Sequence, residues 1–248
     1  SKIHSYANQD KEKKLFCPDK FVNLSDVVSL LKECNFDNYI FSNDEKLPEF
    51  DVHCPLLSLP FKFSTTLQSI PFSDKYLFPN KNRIFKWKKT FDNQYLNIGI
   101  NWQASPNPDL DKGRSFKLKY FNEISIMDKI KLHCLQKICG LDQVKEFSKQ
   151  FKLNIFDNFD EDVPFVDTAA IIENLDLIIT CDTSIAHLSG ALGKKTFLLL
   201  QKNSEWRWLQ DIDHSPWYNS IKIYRQKTQG DWSNVFDEVK KDIKRLVN

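Results

Sequence analysis

Within CDTSIAHLSGALGKKTFLLL, residues 181–200, the candidate phosphate-binding group is Asp182, Thr183, Ser184 and His187, with Asp182 included for its place beside the hydroxyls and the other three as donors. Two short hydroxyls, an imidazole one turn further on and the free N–H groups of a starting helix together make an anion site. Two cations fall at comparable places. Arg114 ends the loop of NIGINWQASPNPDLDKGRS, and Lys137 follows KLHCLQ. An arginine meets a phosphate with paired hydrogen bonds and a lysine as a point charge, so three such loops on one edge would suit a diphosphate. Each residue also has a plainer reading: Arg114 and Lys137 as solvated loop cations, and His187 as a packed histidine.

The elements around these residues decide whether they can meet. LDLIIT and TFLLL are apolar along their length, as strands covered on both faces of a parallel sheet are. Thr183 or Ser184 can cap a short helix between them, and Gly193 falls where that helix must leave through a left-handed residue. Gly190 lets the helix press closely on the sheet. Upstream and downstream the alternation continues: a helix over NKNRIFKWKKTF (80–91), a strand over 95–102, a loop over 103–115, a helix over about 118–129, then KLHCLQ, LDQVKEFSKQF, LNIFD and TAAIIENL as strand, helix, strand and helix. Such alternation predicts a doubly wound parallel sheet with helices on both faces. In it, ligands bind at the carboxyl ends of the strands. Before residue 80 the pattern is weaker. Residues 1–14 are polar and loop-like, KLFCP and NYIFSN suggest short strands, LSDVVSLLKECN an amphipathic helix, and the prolines of DVHCPLLSLPFKF leave room for short helical turns only. This divides the α/β chain into a partial or reduced N-terminal domain, 1–79, and a Rossmann-like C-terminal domain, 80–248.

Composition narrows the function. With 35 Lys and Arg against 33 Asp and Glu, the chain lacks the basic excess of a nucleic-acid binder. No apolar run approaches the ~20 residues that span a bilayer, and SKIHSYANQDKEKKLF carries no secretory pattern. Six cysteines without zinc or CxxC spacing read as reduced, mostly buried thiols, which points to the cytoplasm. The absence of GxGxxG argues against a nicotinamide-dependent oxidoreductase.

The string Asp-Thr-Ser…His-Leu-Ser-Gly-Ala-Leu-Gly, with EWRWLQDIDHSPWY and IYRQKTQGDW behind it and NWQASPNPDLDKGRSFKL and DVHCPLLSLPFKFSTTLQSIP before it, resembles the GT-B glycosyltransferases. It is most similar to the heptosyltransferase-like (family 9) domains found in bacterial tetratricopeptide-repeat proteins, relatives of O-linked N-acetylglucosamine transferases. The resemblance covers about residues 45–236. It implies that the C-terminal half binds a nucleotide sugar, with diphosphate contacts from Thr183, Ser184, His187, Arg114 and Lys137. The chain departs from the family in three ways. No Gly-rich acceptor loop precedes residue 15, Asp-Thr-Ser stands where heptosyltransferases have Asp-Thr-Gly, and no tetratricopeptide repeat is present.

The chemistry this implies is metal-independent transfer of a sugar from a nucleoside diphosphate to an acceptor hydroxyl, the departing charge being met by fixed donors. No metal or other cofactor is expected. Asp211 and Asp213 have Asp-x-Asp spacing but sit in the Trp-rich loop. His53 is the candidate base or acceptor contact, with a packed histidine in a proline-rich turn as its plainer reading. Of Trp206, Trp208 and Trp217, at least two are expected to be structural, since Trp206 and Trp208 cannot share a helix face. The alternative function is a non-catalytic, degenerate GT-B module that binds nucleotides or a protein partner.

Overall fold

The computed structural model describes residues 15–16, 25–36, 46, 49–71 and 74–247. Its centre is a six-stranded, wholly parallel sheet: β3 (Leu96–Asn101), β4 (Ile130–Cys134), β5 (Leu153–Ile155), β6 (Leu177–Thr180), β7 (Thr196–Leu200) and β8 (Ile221–Arg225), in the order β5-β4-β3-β6-β7-β8. Leu15–Phe16 (β1) and Val52–His53 (β2) form a separate parallel pair. The main helices are α1 (Ser25–Leu31), α2 (Lys81–Lys88), α3 (Asp142–Phe147), α4 (Val166–Asn174), α5 (Ser184–Ala191) and α6 (Ser233–Val247).

Alternation along each strand sorts its side chains into two cores. Leu177 and Ile179 of β6 join Phe197 and Leu199 of β7 and Phe236, Val239 and Ile243 of α6 on one side. Ile178 faces the other way, among Ile171 and Ile172 of α4, Ile185 and Leu188 of α5 and Trp87 of α2. Leu30 and Cys34, on α1 and the π-helical turn that continues it, belong to this second core. The expectation of a doubly wound parallel sheet is met, with burial on both faces accounting for the unbroken apolar runs.

Several local expectations change. The helix over 118–129 is instead a 3-10 turn, Leu118–Phe121, followed by one α-turn, Asn122–Ser125. Its anchors Leu118, Phe121 and Ile124 are all buried, which fixes a bent path across the sheet. At Gly190 the nearest neighbour is Tyr218: a Cβ there would stand 2.4 Å from its ring, so the missing side chain makes room for that tyrosine. Gly193 does leave α5 at φ +67°, and a Cβ there would also strike the Asp74 carbonyl at 2.3 Å. The loop-like start over 1–14 and the strand expected in NYIFSN lie outside the described residues. Of the five cysteines described, Cys34, Cys134 and Cys181 are buried and all are free thiols. No helix of the described residues is long and apolar enough to cross a membrane.

Two polar links hold the layers. Asp167, buried at the start of α4, accepts from Trp87 Nε1 at 2.9 Å and from the Asp160 backbone N–H, with Arg83 and Lys86 beside it. Burial pushes its carboxyl up, but these donors and charges outweigh that and hold it below the usual carboxylate range. Inside the sheet, Asn154 donates to His133 Nδ1 and His133 Nε2–H donates to Asn97 Oδ1, at 3.0 and 2.9 Å. The ring is stacked on Phe156, and burial, with Lys131 nearby, brings its pKa down to about 4.

A pH dependence of stability follows. Near pH 6.5 the unfolded chain takes up a proton that the folded chain refuses until about 4, so stability is full above 6.5 and falls with pH across that window. The loss at the lower end is on the order of 3 kcal/mol. Urea titrations at pH 7 and pH 4.5 should show it, and His133→Gln should flatten this part of the difference; an unchanged pH slope in that variant would assign the loss elsewhere.

Candidate functional site

In a sheet of this order, β3 and β6 are neighbours whose connections leave in opposite directions, and a crevice opens at their carboxyl ends. Asn101, the last residue of β3, is paired in register with Thr180, the last of β6. Its Oδ1 accepts from the Thr180 and Thr183 hydroxyls at 3.2 and 3.1 Å, and its Nδ2 donates to Gln136 Oε1 at 3.0 Å. Gln136, just past β4, accepts two more hydrogen bonds on the same oxygen, from the backbone N–H groups of Trp102 and Gln103. Three strand ends are thus joined by two buried carboxamides.

Thr183 is the N-cap of α5: its backbone is extended and its Oγ1 accepts from the Ile185 N–H at 3.2 Å. Asn101 therefore fixes the rotamer of the residue that starts the helix. Ser184, the first helical residue, is exposed, while Asp182 is buried.

Arg114 comes to the same place from the β3 loop. Asn107 caps the helical turn Pro108–Asp111, and Lys112 and Gly113, at φ +50° and +81°, turn the chain back. The Asp111 carboxylate takes the Gly113 N–H and the Ser115 hydroxyl, and Ser115 in turn accepts from Ala104 N–H. In this braced loop the guanidinium donates to three carbonyls: Asp111, Leu110 and, across the crevice, Asp182 at 3.2 Å. Burial, followed by the charges of Asp111 and Asp182, pushes the nearby Cys181 thiol up, with Arg114 opposing them. The guanidinium thus stands among carboxylates as well as beside the helix N-terminus.

The structure brings together Arg114, Asp182, Thr183 and Ser184. Lys137 goes elsewhere: its ammonium donates to the Phe159 and Asp160 carbonyls, both at 2.9 Å, in the loop after β5. His187 turns toward β8, stacked on Trp208 at 5.1 Å with Nδ1 hydrogen-bonded to Tyr218 Oη at 3.1 Å. His53 stands exposed on β2, edge-on to Phe50 at 6.4 Å. Asp213 lies alongside β8, where its carbonyl accepts from Ile223 N–H and its carboxylate holds the His214 ring. Among the described residues no cluster of His, Cys, Asp and Glu has metal-site geometry. Trp208 is fully buried, and the Trp217 indole donates to the Arg207 carbonyl, whereas Trp206 is 65% exposed. Two of the three tryptophans are structural, as expected.

Asn101 and Gln136 were not singled out from the sequence. The signal that could have found them is a carboxamide directly after an apolar strand, in NIGIN and HCLQ, where the strand end meets the ligand edge.

No protein-family model and no curated protein matches the chain. Solved structures do. The ADP-heptose LPS heptosyltransferase II of E. coli aligns over 74% of this chain at 13% identity and TM-score 0.53. A family 9 glycosyl transferase from Veillonella parvula aligns over 67% of the chain at 14% identity and TM-score 0.46, covering 46% of its own length. An E. coli heptosyltransferase solved with ADP-2-deoxy-2-fluoro heptose aligns over 72% at 10% identity and TM-score 0.45, covering 52%. The chain spans 58% of the length of heptosyltransferase II. The fold is that of a GT-B-like heptosyltransferase.

The carboxamide link has a measurable weight. Asn101→Ala removes the shared acceptor of the Thr180 and Thr183 hydroxyls and one of the three donors to Gln136 Oε1, and should cost about 1–3 kcal/mol in urea unfolding. Ser184→Ala, on an exposed side chain, should stay within about 0.5 kcal/mol. Equal effects would mean that the network contributes nothing particular.

Proposed function

We propose that the chain is a glycosyltransferase whose C-terminal part, from residue 80, binds a nucleoside diphosphate sugar, with residues before 80 on the acceptor side. The observation that carries this reading is the meeting of the Arg114 guanidinium and the Thr183-capped start of α5 at the β3/β6 crevice. A helix N-terminus offers N–H groups and partial positive charge to a phosphate, and Arg114 can add charge-assisted hydrogen bonds there. Heptosyltransferase II, whose fold this chain shares, is named for ADP-heptose, which makes a nucleotide sugar the substrate class to test first. Kinship with the tetratricopeptide-linked and O-linked N-acetylglucosamine transferases belongs to the same reading, as does a cytoplasmic site of action.

In the reaction, an acceptor oxygen bonds to the anomeric carbon, the bond from that carbon to the diphosphate oxygen breaks, and the hydroxyl proton passes to a base. Arg114 and the α5 N–H groups stabilise the charge on the leaving oxygen, so that no metal is required. His187, which shares a hydrogen bond with the Tyr218 hydroxyl through Nδ1, is proposed as a further phosphate contact. Lys137 would have to leave the Phe159 and Asp160 carbonyls to join it. His53 is the proposed base or acceptor contact.

One observation favours the alternative of a non-catalytic module. Arg114 and Lys137 are both engaged by backbone carbonyls of the chain itself. A module that kept these cations for architecture alone would show the same contacts.

Calorimetry with UDP, GDP and ADP separates the two. Binding should be seen with at least one of them, and Arg114→Ala should weaken it about ten- to a hundredfold, the worth of a charge-assisted hydrogen bond. Chelator should leave affinity unchanged, and a loss above tenfold would overturn metal independence. Absence of binding at millimolar nucleotide would overturn the donor site, while binding without sugar hydrolysis or transfer would support the module.

A further inference from the structure

Charge is unevenly spread along the chain. Between Val52 and Phe91 stand seven Lys and Arg and a single acid, Asp74, a net of +6, while the remainder holds 28 basic and 32 acidic residues, a net of −4. Some of this charge is spent inward: Arg83 and Lys86 face Asp167, and Lys75 faces Glu173. Asp74 is held by Asn219 at 2.7 Å. Lys62, Lys81, Lys88 and Lys89 are exposed.

The same stretch carries bulky apolar side chains in water. Leu57 and Phe61, four residues apart on consecutive helical turns, are each 82% exposed, and Leu67, Phe78 and Phe85 are 54%, 55% and 66% exposed. On α2 the two kinds of residue share one face. Trp87 and Ile84 pack toward the core, and the exposed Lys81, Phe85 and Lys88, spaced i, i+4 and i+7, form a strip along the flank of the helix. Lys62 Nζ lies 6.0 Å from the Phe61 ring centre and Lys75 Nζ 5.3 Å from that of Phe78.

Exposed phenylalanines and leucines bordered by lysines suit a medium that is apolar within and anionic at its edge. A nucleic acid would satisfy the lysines but offers nothing to Leu57 or Leu67. A second copy bound by the same face would set these exposed lysines against their own counterparts. We infer that the exposed side chains of residues 52–71 and 74–91 form a docking surface for an anionic lipid bilayer, with Phe61 and Phe85 entering the headgroup region and Lys62, Lys81, Lys88 and Lys89 pairing with lipid phosphates. This inference does not depend on the proposed activity.

The test is co-sedimentation of the 248-residue chain with phosphatidylcholine vesicles, with and without about 30% phosphatidylglycerol. Binding should be at least about tenfold stronger to the anionic vesicles and should weaken as salt rises. The pair Phe61→Ser and Phe85→Ser, and separately Lys81→Glu with Lys88→Glu and Lys89→Glu, should each lower it at least about tenfold with circular dichroism and Tm unchanged. Failure to bind anionic vesicles, or binding indifferent to both variant sets, overturns the inference. So does self-association without vesicles that the Phe→Ser pair abolishes, which assigns the patch to a second copy. RNA binding that competes with vesicles and survives the Phe→Ser pair overturns it in favour of nucleic acid.

Discussion

Asn101 and Gln136 set the geometry on which the rest of the ligand edge depends. A parallel sheet leaves the last peptide groups of each strand without a continuing neighbour, and at the β3/β6 boundary the two connections diverge as well. The Asn101 side chain fills that gap by accepting from the Thr180 and Thr183 hydroxyls while donating to Gln136, which in turn gathers the Trp102 and Gln103 N–H groups. Both carboxamides are almost wholly buried. Leaving any member unpaired there would incur a full desolvation cost, so the network tolerates one arrangement only. That arrangement fixes where α5 begins and, through the Asp182 carbonyl, where the Arg114 loop docks.

The structure also distinguishes two helix starts that look alike in sequence. At α4 the position that an external anion would take is filled from within. The Asp160 carboxylate accepts from the Thr168 N–H at 3.0 Å and from the Thr168 hydroxyl. Lys137 follows that internal anion's loop, donating to the carbonyls of Phe159 and Asp160, and so belongs to the closing of α4. At α5 the cap is a neutral threonine hydroxyl, and the first helical residue is exposed. Of the two helix starts only that of α5 has no carboxylate hydrogen-bonded to its first-turn N–H groups, which makes it the one suited to a phosphate.

This explains how much was legible beforehand. The strands of the C-terminal half, α5, its threonine cap and the Gly193 exit follow from local rules: apolar runs of strand length, a hydroxyl before a helix and a glycine after it. Strand β8 and helix α6 did not stand out. IKIYR alternates charged and apolar residues at the sheet edge and lacks the unbroken apolar run of the central strands. The site was half legible. Asp182, Thr183 and Ser184 are neighbours in sequence and could be grouped by eye, and Arg114 sits in a loop whose turn residues mark it. The destination of Lys137 depends on Asp160 and Phe159, more than twenty residues on, and no local pattern records that contact. The Tyr218 ring against Gly190 is hidden for the same reason, since it comes from a loop 28 residues further on.

His187 shows how the architecture and the proposed chemistry share one residue. Its stacking on Trp208 and its bond to Tyr218 place it between α5 and the loop before β8, and that loop also meets the segment carrying Asp74 through Asn219. Tyr76 and Leu77 donate to the Ala191 carbonyl at the other end of the same helix. Helix α5 is therefore held at its start by the Asn101 network, at its end by the segment before residue 80, and along its side by Tyr218 against Gly190. A helix fixed at three places loses little further freedom when its N-terminus takes up an anion. The contacts that bind α5 into the fold are, by the same geometry, what would preorganise it for a diphosphate.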